Sequence, residues 1–302
     1  MHGTRPLMLG LVGASAAGKA TLVRGVVRLL GQHGVTPLCL DDYHRYARAD
    51  LHARGLTHAD PAANHLDLMA EQLTALRAGG TISKPRYDQR TGTLSDPEVV
   101  AATGLIIAYG MLTLTPPSLA KLFDLTVYLE PDQAMRQAWR LARDVRERGY
   151  TPEEVLTLRA ARERDAAHFI AVQRPFVDVV VRFRSAPTGL AAELLLRRTN
   201  GRSPLAATLA ALAVAALPGL TFDQAITDDD GHVADRLIIA PTLEPEDAAT
   251  AAVILIGGGL PGVGPEALEL LGQVRAPGHA LHSLPLALTQ LLIVRQLVGM
   301  GN

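Results

Sequence analysis

The sequence predicts an α/β fold: a mostly parallel sheet flanked by helices, with a smaller C-terminal α+β domain. Three observations lead there. Short apolar runs alternate with longer amphipathic or charged segments as far as residue 183, the signature of strands buried on both faces and joined by helices. A glycine-punctuated turn follows the first apolar run and passes straight into a helical pattern. The composition then changes near residue 200: beyond it four basic residues face ten acidic ones, against 25 and 20 before that point. We place a domain boundary there, giving residues 1–199 and 200–302, in keeping with roughly 100–200 residues per domain.

The elements follow in order. Leu7–Val12 is a short apolar run with Gly10 inside it and Gly13 just after it, as expected of a buried strand. Residues 19–31 space Leu22, Val26, Val27, Leu29 and Leu30 along one broad helical face and stop at Gly31. Val35–Leu40 reads as a second strand. Residues 41–60 are rich in His, Arg and Asp without a period, and read as a loop with something to hold. His65–Arg77 is an amphipathic helix using Leu66, Met69, Leu73 and Leu76. Gly104–Tyr109 and Leu125–Leu129 are further strands, residues 131–149 and 152–169 two charged helices, and Val177–Phe183 another strand. In such folds ligands sit at the carboxyl ends of the strands, which gathers residues 13–20, 41–48 and 109–111 around one crevice.

Composition excludes several classes. With 48% hydrophobic and 20% charged residues the chain is neither disordered nor fibrous. A net charge of −1 recruits neither nucleic acid nor membrane. Cys39 is the single cysteine, so an internal disulfide framework and a cysteine-built zinc site are ruled out, and a reduced, cytoplasmic setting fits. The apolar run Leu7–Val12 with Ala14-Ser15-Ala16 imitates a secretion signal, but it is short and a Gly-Lys pair follows at once. Leu205–Leu217 is Ala/Leu-rich yet stops at Pro218-Gly219, short of the ~18–20 apolar residues a bilayer requires. We read it as a buried helix.

Gly13-Ala14-Ser15-Ala16-Ala17-Gly18-Lys19, between strand and helix, has the Walker A arrangement of P-loop NTPase-like proteins. Glycines allow a turn whose backbone N–H groups wrap a phosphate, and the lysine reaches the β and γ phosphates of a nucleotide. Gly13, Ser15, Ala16, Ala17, Gly18, Lys19, Ala20 and Thr21 are therefore the expected nucleotide-binding residues. The motif has a gap. The hydroxyl that follows the lysine and holds Mg²⁺ is replaced by Ala20, and adjacent Thr21 points ~100° away on a helix.

Asp41-Asp42-Tyr43-His44-Arg45-Tyr46, followed by Asp60-Pro61-Ala62-Ala63-Asn64-His65-Leu66-Asp67-Leu68-Met69, resembles the phosphoribulokinase family of the plant, cyanobacterial and archaeal type. So do Lys84-Pro85-Arg86-Tyr87-Asp88 with Thr91-Gly92, the segment holding Trp139-Arg140, Arg143-Asp144 and Arg148-Gly149-Tyr150, Gln173 with Asp178-Val179-Val180, and the tail from Ser283 to Leu292. Uridine kinase is similar in the phosphate loop and lid arginines and less so over residues 41–69. The resemblance implies a cytoplasmic, homodimeric Calvin-cycle kinase that uses ATP and Mg²⁺ to phosphorylate the C1 hydroxyl of ribulose 5-phosphate. It implies Asp41 as the base that takes the hydroxyl proton, with Lys19 and Asp144 as the other catalytic groups. Mg²⁺ would fall to Asp144 and Thr21. Arg140, Arg143 and Arg148 resemble a lid over the transferring phosphate, and His44, Arg48, Lys84, Tyr87 and Arg90 the sugar-phosphate contacts.

The sequence also departs from that family. Ala14 stands where the family has an acid and Gln89 where it often has His. Tyr109 occupies the place of a glutamate at the end of the third strand. Ala17 stands where a regulatory cysteine would pair with Cys39, so that switch cannot form within this chain. Three readings stay open: a phosphoribulokinase-like enzyme, a regulatory or binding protein of that fold with little catalysis, and a kinase acting on a nucleoside or another sugar. Gly257–Gly262 matches a dinucleotide-binding pattern but lacks the following acidic residue, because no Asp or Glu occurs after Glu269. We read it as a loop closing a strand over Val253–Ile256.

Overall fold

A computed structural model describes residues 5–198, 205–257, 260, 263–264, 266–276 and 279–299. The strands and helices are β1 (Leu7–Gly13), α1 (Lys19–Leu30), β2 (Val35–Cys39), α2 (Arg48–Ala53), α3 (Leu66–Arg77), β3 (Thr81–Asp88), β4 (Thr93–Ala101), β5 (Leu105–Gly110), β6 (Leu125–Pro131), α4 (Gln133–Glu147), α5 (Pro152–Thr157) and α6 (Arg159–Asp165). They continue as β7 (Val179–Ala186), β8 (Gly189–Arg197), α7 (Ala206–Ala215), β9 (Leu220–Thr227), β10 (Val233–Ile239), α8 (Pro245–Ile256), α9 (Ala267–Leu270), β11 (Gln273–Ala276), β12 (His279–His282) and α10 (Leu284–Gly299). They form two compact units. One comprises residues 1–19, 33–128 and 133–177, the other residues 20–32, 129–132 and 178–302.

The first unit holds the parallel part of the fold. Its strands run in the order β2-β5-β1-β6, and β5 pairs in parallel with β1 and β2, Leu9 opposite Ile107 and Cys39 opposite Tyr109. Met8, Leu9, Leu11, Ile106 and Ile107 are fully buried, as a strand covered on both faces requires. The helix α3 buries Met69, Gln72, Leu73 and Leu76, the i, i+3, i+4, i+7 stripe of the sequence. Its buried Gln72 accepts from the Tyr43 hydroxyl at 2.6 Å and donates to the Ser83 carbonyl at 2.8 Å, tying the Asp41–Tyr43 turn to β3.

The second unit is antiparallel and helical. Its strands β7-β8-β10-β9 pair antiparallel throughout, and α10 packs on β8 and α8. Gln290 of α10 donates to the carbonyls of Thr21 and Leu22 in α1 and accepts from the Gly272 N–H at 2.7 Å.

Several expectations are corrected. The loop over residues 41–60 contains a 3-10 turn (Leu40–Asp42) and α2. The hairpin β3–β4 was not expected, because Pro85, Asp96 and Pro97 are poor strand formers; the prolines sit beside a register shift between Lys84 and Arg86, where the ladder needs no donor. The single helix over 152–169 is α5, α6 and a π turn (Ala166–Ile170). The helix α7 is not buried all round: Leu209 and Leu212 are covered while Val214 is 85% exposed, since residues three apart share one face. Val253–Ile256 ends α8 and is not a strand; Gly258, Gly259, Pro261 and Gly262 lie outside the described residues.

Candidate active site

The phosphate loop leaves β1 at Gly13 and closes on itself, the Ala17 N–H donating to the Ala14 carbonyl at 3.0 Å. Ala16 (φ +67°) and Gly18 (φ +96°) adopt left-handed backbone. Gly18 does so without strain, whereas Ala16 carries a Cβ in a region that costs about 1 kcal/mol or more. Such alternation turns successive N–H groups toward one side, making an anion-binding concavity. The Lys19 ammonium lies folded against this loop, donating to the carbonyls of Gly13 at 2.6 Å and Ala14 at 3.1 Å. Burial lowers its pKa, and the nearby charge of Asp41 opposes that shift.

Asp41 belongs to the 3-10 turn that ends β2. Its Oδ1 accepts from the Met111 N–H at 2.8 Å, which leaves Oδ2 for a ligand. Two features hold this arrangement. Gln173, 1% exposed, donates to the Met111 carbonyl at 2.8 Å and accepts from the Leu114 N–H at 2.9 Å, pinning the segment after β5. Gly110 gives the turn room: a Cβ there would lie 2.9 Å from Leu40 Cβ and 3.1 Å from Asp41 Oδ1. Neighbouring Asp42 is committed elsewhere, to a buried ion pair with Lys84, which also meets Glu98 at 2.9 Å.

Opposite these groups α4 presents its arginines. Asp144, 1% exposed, accepts from Arg143 at 2.6 Å and lies 3.4 Å from Arg140, 3.7 Å from Arg148 and 3.6 Å from Arg162. Burial pushes the Asp144 carboxyl up, but the guanidinium charges of Arg143 and Arg148 outweigh burial, and its pKa ends below the usual value. Burial and repulsion by Arg162 lower Arg140 to about 9. Arg143 also donates to Ser15 Oγ at 2.9 Å, joining α4 to the phosphate loop.

On the remaining side His44, His58 and Tyr87 form a ring cluster. His44 Nδ1 pairs with Asn64 Oδ1 at 2.7 Å and His58 Nε2 with the Tyr87 hydroxyl at 3.0 Å. Burial, then the neighbouring His44 and arginines, which disfavour a second cation there, takes the His58 pKa down to about 2, and burial lowers His44, so both imidazoles are neutral. Arg48 donates to the carbonyls of Arg148 (3.0 Å) and Gln89 (2.8 Å) and stacks 4.3 Å from the Tyr150 ring centre.

One cleft of the first unit is lined by Ala14, Ser15, Asp41, His44, Arg48, Arg140, Asp144 and Arg148, which brings together seven of the eighteen residues expected from sequence; Lys19 and Arg143 are not among its lining. Arg90 is exposed, while Lys84 and Tyr87 lie behind the lining, buried in their own pairings. His58, Arg136 and Arg162 also line the cleft and were missed. Arg136 could have been found from its position one turn before Arg140 on α4, but no local pattern marks His58 or Arg162. The Thr57 hydroxyl bonds Asp165 at 2.5 Å, and that tertiary contact carries His58 and Arg162 inward.

The side chains present do not fit a protein-held Mg²⁺. Ala20 has no hydroxyl, the Thr21 hydroxyl accepts from Arg24 at 2.9 Å, and Asp144 faces four guanidiniums. Burial raises the Tyr109 phenol, which stays neutral where a carboxylate would carry charge. Among the described residues no group of three or more His, Cys, Asp or Glu is placed to hold a metal ion.

Comparison with known proteins gives a consistent set of likenesses. Residues 8–188 match the model of the Phosphoribulokinase / Uridine kinase family. The chain is 37% identical over 177 residues to phosphoribulokinase of Synechocystis sp., covering 59% of this chain and 53% of that protein. It is 30% identical to the chloroplastic phosphoribulokinase of Triticum aestivum over 194 residues, 59% and 48% of the two chains. To uridine kinase of Deinococcus deserti it is 35% identical over 155 residues, 50% of this chain and 75% of that one. The chain thus spans about half the length of the phosphoribulokinases it matches. The solved phosphoribulokinase from Rhodobacter spheroides shares the fold, with a TM-score of 0.59 over 84% of this chain and 95% of that one at 17% identity.

Proposed function

The chain belongs to the phosphoribulokinase/uridine kinase family, and from that premise we propose that it transfers the γ-phosphoryl group of ATP to the C1 hydroxyl of ribulose 5-phosphate. The observation that carries this reading is one cleft lined both by the phosphate loop, at Ala14 and Ser15, and by the Asp41 carboxylate. Phosphoryl transfer asks for positioning and charge neutralisation more than covalent help. The loop amides and Lys19 hold the nucleotide phosphates. Asp41 Oδ2, left open by the Met111 N–H on the other oxygen, accepts the proton of the attacking hydroxyl. The new bond joins that hydroxyl oxygen to phosphorus, the bond to the β–γ bridging oxygen breaks, and ADP departs with the electron pair. Arg140 and Arg148 stabilise the charge that develops. His44 and Arg48 face the acceptor, neutral His44 through a hydrogen bond and Arg48 through its charge; Lys84 and Tyr87 hold that wall in place, and Arg90 stands at its exposed edge.

In the family's chemistry Mg²⁺ supplies phosphate charge neutralisation, and in this chain no side chain is assigned to it. The remaining proposals follow the family: a homodimer, acting on a small sugar phosphate in the cytoplasm. Among the described residues no helix is long and apolar enough to cross a membrane. A second reading, a binding protein of this fold with little turnover, is favoured by Ala20 and Tyr109. ADP release measured with ribulose 5-phosphate, ribose 5-phosphate and uridine in turn decides among them. Turnover with the first supports the proposal, and turnover with uridine alone makes the chain a nucleoside kinase. Silence with all three acceptors, alongside nucleotide binding by calorimetry, leaves the second reading.

A further inference from the structure

The cleft is electrostatically lopsided. Arg48, Arg136, Arg140, Arg148 and Arg162 line it against two carboxylates, Asp41 and Asp144; Arg136 is paired with Glu163, which leaves four lining arginines to those two acids. Both oxygens of Asp144 are already occupied, Oδ1 by Arg143 and Arg148 and Oδ2 by Arg140 and Arg162. A divalent cation placed there would add to a positive excess. One donor is also left over: Nε of Arg48 is buried and makes no hydrogen bond, while Nη1 of Arg162, likewise without a hydrogen bond, has only the 3.6 Å approach to Asp144 Oδ2. A buried guanidinium donor without an acceptor is costly, and oxygens of a bound anion would relieve it. The cluster also reaches the phosphate loop directly, through Arg143 on Ser15 Oγ at 2.9 Å.

We propose that the arginines of α4 and α6 supply the charge neutralisation that a divalent cation would otherwise bring, so that this chain binds an uncomplexed nucleoside triphosphate as tightly as its metal complex. The inference rests on the nucleotide-binding reading of the loop. Guanidinium forks match pairs of phosphate oxygens and stay charged when desolvated, and their number replaces the ligands missing at Ala20 and Tyr109. Burial and mutual repulsion, which lower the pKa of Arg140 and of Arg148, describe a cation cluster short of anions.

Calorimetric titration of the whole chain with ATP, once in EDTA and once in excess MgCl2 at matched ionic strength, tests this. The two dissociation constants are expected to agree within about threefold. Binding in EDTA weaker by about tenfold or more overturns the proposal and leaves nucleotide binding intact. No binding in either buffer overturns the nucleotide reading itself, and this inference with it. Arg162→Ala is expected to weaken binding by about tenfold or more in EDTA and by less in MgCl2, where the cation substitutes for the lost charge. Equal losses in both buffers count against the exchange of roles. If circular dichroism shows that variant unfolded, the two wild-type titrations still decide.

Discussion

Two arginine–carboxylate clusters, one in each unit, use the same chemistry in opposite proportion. In the second unit Arg197 bonds Asp228 at 2.7 Å and also Asp230, Arg198 bonds Asp235 at 2.6 Å, and Arg182 meets Glu130 at 2.8 Å, Glu193 at 3.4 Å and Asp229. There the acids outnumber the arginines, and the cross-strand pairs are spent on holding β7, β8 and the β9–β10 turn. In the first unit one carboxylate, Asp144, faces four guanidiniums beside an open cleft. The ratio of acceptors to donors, rather than the presence of ion pairs, separates the two clusters. Ion pairs alone are weak evidence for either role.

The largest expected effect isolates chemistry from electrostatics. Asp41→Asn keeps an acceptor for the Met111 N–H but removes the base. Steady-state turnover should fall by ~10²–10⁴-fold while ATP affinity, read by calorimetry, stays within about twofold. An Asp41→Asn protein that remains active would remove Asp41 from that role.

A substitution in each cluster then tests the comparison directly. Asp144→Asn leaves four guanidiniums without their counter-charge and should cost about 3–5 kcal/mol in urea denaturation. Asp228→Asn should cost only about 1–3 kcal/mol, because Asp230 still receives Arg197. Equal losses would break the contrast. The pH dependence follows from the lowered pKa of Asp144. A carboxylate depressed in the folded state adds stability above its unfolded value of 3.8, and that contribution disappears as pH falls through the folded value. The difference in Tm between wild type and Asp144→Asn should therefore be constant from neutral pH down to about pH 5 and shrink below it.

An effect as small as that at Asp228 is expected at Gly110. Gly110→Ala places a methyl against Leu40 and Asp41, with an expected stability loss of about 1–3 kcal/mol from overpacking. Turnover should drop further than ATP affinity, since the Asp41 turn moves while the phosphate loop does not. Unchanged kinetics would mean that the turn has slack.

Much of this is legible in the sequence. Strand, turn and helix around Lys19 are local events, written in apolar runs and in the residues flanking one glycine-punctuated turn. Asp41, His44 and Arg48 were found because they lie close together in one motif. Arg140, Arg143 and Asp144 were found because their segment resembles the family's lid helix. His58 and Arg162 escaped because each reaches the cleft through packing between distant segments, near the Thr57–Asp165 bond, whereas Arg136 stands one turn before Arg140 on α4 and its spacing could have marked it. Lys84 was assigned to the sugar phosphate from its motif, yet the structure turns it to Asp42 and Glu98. A motif records which residue types recur together, not which of them face one another.

By itself the amino-acid order determined the periodicities, the turn chemistry of residues 13–19, the acid at the end of β2 and the missing hydroxyl at Ala20. These depend on neighbours a few bonds or one helical turn away. Only the tertiary structure decided the charge balance of the cleft. Arg48, Arg148 and Arg162 are brought together across more than a hundred residues, and Coulomb energy depends on separation in space rather than along the chain.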